Sequence, residues 1–101
     1  FVRSVAFSPD GAQILTASGD RTSKLWSAGS GDCLLRLGGH GDIVYSATFS
    51  PDGRQILTAS EDWTAKLWSV ATGHCLLTLE GHARAVCSTA FSPNGSQILT
   101  A

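Results

Sequence analysis

Phe7-Ser8-Pro9-Asp10-Gly11 returns as Phe49-Ser50-Pro51-Asp52-Gly53, and again as Phe91-Ser92-Pro93-Asn94-Gly95, each time 42 residues further on. The same offset carries Gln13-Ile14-Leu15-Thr16-Ala17 onto residues 55–59 and 97–101, Lys24-Leu25-Trp26-Ser27 onto residues 66–69, and Gly39-His40 onto Gly81-His82. Aligned without a gap, residues 1–42 and 43–84 are identical at 26 of 42 positions. Chance does not produce that, so the chain is a tandem array of one supersecondary unit, and its fold follows from how such units stack.

Each unit reads as four short strands. Val2–Ser8 is rich in β-formers and runs into Ser-Pro-Asp-Gly, where proline presets φ and glycine accepts a positive φ. Gln13–Ser18, Thr22–Ser27 and Cys33–Leu37 follow, separated by a tight connection around Asp20 and a Gly/Ser-rich loop through Gly31. Short strands with turn signals every 8 to 12 residues point to a sandwich, barrel or propeller. No helical periodicity competes with this reading.

A period near 40–45 residues, a Gly-His pair, an Asp six residues before a Trp and four strands per unit together resemble the WD repeat, over the whole chain. The resemblance implies an all-β propeller segment built of four-stranded antiparallel blades. Residues 1–39 and 40–81 would be complete blades, and residues 82–101 the first half of a third. One departure is that the Trp-Asp dipeptide of the family is Trp-Ser here, at Ser27 and Ser69. The resemblance also implies a hydrogen-bonded tetrad in each blade. It maps onto His40, Thr58, Asp62 and Trp68 in the middle unit, onto Thr16, Asp20 and Trp26 in the first, and onto His82 and Thr100 in the third. An Asp–His–hydroxyl set could be mistaken for a hydrolase triad. Its recurrence with the repeat argues for a structural device, because a catalytic site is normally single.

By the 42-residue offset the His of the first unit would fall at position −2, before Phe1, and the third unit stops at Ala101 within its second strand. A segment of a longer propeller is therefore expected, whose partners include further blades of the same longer chain and, as the lesser option, other copies. The family commonly binds partners on the narrow end built from the Gly-His loops and the turns between second and third strands. Carried over by position, the candidate binding residues are Phe1, Arg3 and Gly19 in the first unit, Ile43, Tyr45 and Glu61 in the second, and Ala85 and Cys87 in the third. Trp63 joins them, with Arg21 as its counterpart. These positions vary between units while the framework repeats, and aromatic residues and Arg are favoured interface anchors.

Composition narrows the function classes. The 101 residues are 43% hydrophobic and 15% charged, with a net charge of −1. Seven scattered bases against eight acids provide no footprint for nucleic acid, and no apolar run reaches the roughly 20 residues of a membrane helix. Cys33 and Cys75 occupy equivalent places in different units and Cys87 leaves the count odd, which favours free thiols and an intracellular setting. No compact ligand spacing suggests zinc, and no phosphate loop or nucleophile elbow suggests a cofactor or hydrolase. The expected function is a non-catalytic protein–protein interaction scaffold within a larger chain or assembly. The alternative is a sensor or regulatory propeller attached to a catalytic or signalling domain outside this segment.

Overall fold

The computed structural model describes residues 2–80, 89–91 and 98–100. Ten strands occur in the order β1 (Val2–Phe7), β2 (Gln13–Ser18), β3 (Ser23–Ser27), β4 (Cys33–Leu37), β5 (Val44–Phe49), β6 (Gln55–Ser60), β7 (Ala65–Ser69), β8 (Cys75–Leu79), β9 (Thr89–Phe91) and β10 (Ile98–Thr100). They form two antiparallel four-stranded meanders, β1-β2-β3-β4 and β5-β6-β7-β8, and a two-stranded pair, β9-β10. No helix occurs among the described residues. The fold is all-β, with sheets of propeller-blade type.

Turn chemistry sets the register. In the first sheet the Asp10 carboxylate accepts the Ser8 hydroxyl at 2.6 Å and the Ala12 N–H at 3.0 Å, while the Ser8 hydroxyl oxygen accepts the Gln13 N–H at 3.0 Å. Asp52, Ser50, Arg54 and Gln55 reproduce those three bonds at the same lengths. Gly11 and Gly53 close both turns at φ 73°, a left-handed conformation in which a Cβ would be strained. The next connection holds a non-glycine residue in that region: Arg21 at φ 74° and Trp63 at φ 72°.

A bulge interrupts the first strand of each sheet. Val2 faces Ser18 and Ser4 faces Ala17, which leaves Arg3 as the extra residue; Tyr45 takes that place between Val44 and Ser46. Bulges bend a strand and re-aim the side chain they carry.

The sheets stack face to face. Leu15, Ala17, Leu25 and Leu37 of the first form one buried cluster with Val44, Ala47, Phe49, Ile56 and Trp68 of the second. Leu57, Ala59, Ala65 and Leu67 on the opposite face of the second sheet form another cluster, against which Leu79 and Ile98 pack. Side chains alternate between faces along a strand, so the consecutive pair Ile56–Leu57 serves both clusters. This explains why β6 is buried from Ile56 to Ser60.

Candidate polar tetrad and loop-end surface

His40 lies in the connection from β4 to β5, Thr58 in the middle of β6, Asp62 in the β6–β7 turn and Trp68 on β7. The structure brings all four side chains into one chain of hydrogen bonds. His40 Nδ1 is 2.9 Å from Asp62 Oδ2, His40 Nε2 is 2.6 Å from Thr58 Oγ1, and the Trp68 indole N–H donates to Thr58 Oγ1 at 2.9 Å. Donor and acceptor capacities fix the direction. Indole can only donate and an ionised carboxylate can only accept. His40 therefore carries its proton on Nδ1 toward Asp62, and its Nε2 accepts the Thr58 hydroxyl proton.

The electrostatics agree with a neutral imidazole beside a charged carboxylate. Burial lowers the His40 pKa, and this outweighs the opposing hydrogen bond and charge of Asp62. Burial works to raise the Asp62 pKa. The Thr64 hydroxyl, the Gly41 N–H, His40 and the Thr64 N–H together overcome it and hold the carboxyl well below the usual carboxylate range. The Gly41 N–H donates to Oδ2 at 2.9 Å, and Thr64 donates its N–H and its hydroxyl to Oδ1 at 2.9 and 2.6 Å. Ser60 links the turn to the incoming strand, donating to the Ile43 carbonyl at 2.9 Å while accepting the Asp62 N–H at 3.1 Å. Sequence reasoning left out Thr64, Ser60 and Gly41. Thr22 and Ser18 repeat the first two at the 42-residue offset and could have signalled them, but Gly41 contributes only backbone.

In the first sheet the same residue types make a shorter set. The Trp26 N–H donates to Thr16 Oγ1 at 3.1 Å, and the Asp20 carboxylate accepts the Thr22 N–H and hydroxyl at 3.1 and 2.5 Å. Thr16 and Trp26 are thus joined, while the exposed Asp20 carboxylate is held by the buried Thr22. His82 and the side chain of Thr100 lie outside the described residues.

The carboxylate–imidazole–hydroxyl order has the connectivity of a nucleophilic triad. Its surroundings differ. Thr58 is 0% exposed, and its oxygen already accepts the indole N–H. A nucleophile has to reach a substrate atom, and this hydroxyl meets only protein. Among the described residues no group of three or more His, Cys, Asp or Glu side chains is placed to hold a metal ion.

Of the candidate binding residues, Arg3, Ile43, Tyr45, Glu61 and Trp63 lie at one end of the two sheets; Phe1, Ala85 and Cys87 lie outside the described residues. The Tyr45 hydroxyl donates to the Glu61 carboxylate, and the Arg3 guanidinium sits 5.4 Å from the centroid of the Tyr45 ring. A cation over an aromatic face at that distance is attracted by the ring quadrupole, so these three side chains bridge the two sheets. Ile43 is half-buried, whereas Trp63 is 56% exposed. Cys33 and Cys75 are exposed free thiols on β4 and β8.

The WD domain, G-beta repeat family model matches residues 1–27, 31–69 and 73–101. The chain belongs to the WD40 repeat family. The second and third matches begin just before β4 and β8, so the sequence repeat and the sheet are out of step by one strand. The first sheet accordingly takes its last strand, β4, from the sequence unit that supplies β5 to β7. Among curated proteins, the chain is similar to a Xenopus laevis protein named dynein assembly factor with WD repeat domains 1, at 45% identity over 42 residues. That stretch is 42% of this chain and 10% of the relative, so the likeness spans one repeat of a much longer protein.

Proposed function

We propose that this WD40 chain is a non-catalytic scaffold that binds other proteins through its loop-end surface, with residues 1–39, 40–81 and 82–101 serving as successive blades of one propeller domain. WD40 repeats mediate protein–protein interaction, and the tetrad of the second sheet is read as a structural brace. The burial of Thr58 supports that reading, since the hydroxyl that bonds His40 Nε2 has no route to a substrate. Trp63 is the observation that carries the binding role. The turn geometry at this position is met equally by Arg21 in the first sheet, so an exposed indole in a left-handed conformation serves something other than the turn. Next to it the Arg3–Tyr45–Glu61 bridge provides a pre-ordered polar and aromatic platform, the composition favoured at interface centres. The relative named as an assembly factor supports a partner within a multiprotein assembly only as far as one shared repeat can. Exposed thiols at Cys33 and Cys75 favour a reducing, cytoplasmic setting.

Trp63→Arg tests this reading, because arginine already occupies the equivalent turn position. Partners recovered by cross-linking from cells should be depleted roughly ten-fold, as for loss of an interface anchor, with the melting temperature unchanged. Undiminished recovery would remove Trp63 from the interface.

A further inference from the structure

At the end of the second sheet away from Trp63, a groove of about 490 Å³ opens between the β5–β6 turn and the end of β7, with Arg54, Val70, Ala71 and Leu76 in its walls. The backbone there repeats the first sheet. The Val70 N–H donates to the Arg54 carbonyl at 3.0 Å, as the Ala28 N–H does to the Ala12 carbonyl at 2.9 Å. The side chains do not repeat: Ala12, Ala28 and Gly29 of the first sheet become Arg54, Val70 and Ala71 of the second, each larger and one of them charged. A shift in register between Leu77 and Cys75 leaves Leu76 as the extra residue of β8, 48% exposed beside the groove.

Stacking of sheets does not cover this place. The first sheet carries the second on its Leu15–Leu25 face, and there the equivalent Ala12, Ala28, Gly29 and Leu34 stay exposed. The second sheet carries the first on its Ile56–Trp68 face, and Arg54, Ala71 and Leu76 stay exposed too. A neighbour on either face thus leaves this rim open.

The strand beside the groove is an edge. Among the described residues β8 pairs only with β7, and an edge strand presents main-chain N–H and C=O groups to any further strand unless a charge or a similar guard prevents pairing. The equivalent edge, β4, carries the exposed Arg36, whereas β8 has Thr78 in that place and no charged residue from Cys75 to Leu79. Cations flank the open edge instead. The exposed Arg54 stands at the groove, and the Lys66 ammonium donates to Thr78 Oγ1 at 3.0 Å. The nearby Asp52 carboxylate is engaged by the Ser50 hydroxyl and the Arg54 N–H.

We propose that the groove and the β8 edge together take an extended acidic–aliphatic peptide segment of a partner protein. Its main chain pairs with β8, an aliphatic side chain enters the groove against Val70, Ala71 and Leu76, and an Asp or Glu side chain meets Arg54. Main-chain pairing supplies affinity in this mode of recognition, and the pocket and the charge supply specificity. This surface is separate from the loop end and does not depend on what Trp63 binds.

Short random peptides displayed on phage and selected against the full chain supply the probe. Enriched sequences should alternate aliphatic and polar residues and carry Asp or Glu; enrichment without an acidic residue would overturn the proposal. The tightest of them, made synthetically, should bind Arg54→Ala roughly ten-fold more weakly, as for loss of a charge-assisted hydrogen bond. Alanine is already accommodated at the equivalent position of the first sheet, so the fold is kept. An added antiparallel strand uses alternate N–H groups toward its neighbour, so analogues N-methylated at the odd and at the even residues of the peptide should differ clearly in affinity. Equal affinity of the two analogues, or unchanged affinity in Arg54→Ala, would overturn the proposal. Trp63→Arg should leave the peptide affinity unaltered; a loss there would place the peptide at the loop end instead.

Discussion

At the scale of single residues, the buried polar chain makes acid sensitivity a property of the fold. His40 has a lowered pKa when folded and an ordinary one, about 6.5, when unfolded. Between those values the unfolded state binds the extra proton, so stability is greatest above pH 6.5 and is lost as the pH falls toward the folded value. Asp62 acts in the same direction at lower pH, because its folded carboxyl titrates below its unfolded range. Protonating His40 would also convert Nε2 from acceptor to donor. Thr58 would then have to turn its own proton toward the Lys66 carbonyl, which stands at 3.4 Å. Urea unfolding across pH 5 to 8 should show stability declining below about pH 6.5 in the wild type and a flatter profile in His40→Gln. Equal slopes in both would remove His40 from the acid response.

At the scale of strands and turns, much was legible because local chemistry repeats. The Ser-Pro-Asp-Gly turns, the four strands per unit and their ends within a residue or so followed from proline, glycine and β-branched placement. That His40, Thr58, Asp62 and Trp68 stand within hydrogen-bond reach was readable only through family resemblance, since they come from four different elements. The bulges at Arg3 and Tyr45 were not readable: a one-residue slip in pairing leaves no mark in an ordinary Val-Arg-Ser or Val-Tyr-Ser sequence. The left-handed turn residues were hidden for a related reason. Arg21 and Trp63 carry none of the glycine or asparagine signal that usually marks φ above zero. A bulky residue there costs on the order of 1–2 kcal/mol relative to an unstrained conformation, part of which glycine returns as unfolded-state entropy. Trp63→Gly should therefore stabilise the fold by about 0.5–1 kcal/mol while weakening partner binding. Thermal melts paired with the cross-linking readout would check it; a destabilised variant would mean that the indole packs as structure.

At the scale of the molecule, stacking decides what each side chain experiences. Identical residues 42 apart have different surroundings: Phe49 lies in the interface between sheets and Phe7 in solvent, although their strands and turns match. No pattern in the sequence distinguishes the two, because burial here is a property of the neighbouring sheet. The tetrad has a similar reach. His40 sits in the connection between the first and second sheets, while its partners lie within the second, so the polar chain fastens that connection to the middle of β6 and β7. Thr58 is the junction through which the indole and the imidazole are both satisfied. Removing its hydroxyl strands two buried groups, at a cost of about 1–3 kcal/mol. Denaturant unfolding of Thr58→Ala beside the wild type is the most direct check that the tetrad is a brace. A loss of stability of that size with partner binding retained is expected, whereas unchanged stability together with loss of a chemical activity would contradict the structural role and make Thr58 a nucleophile.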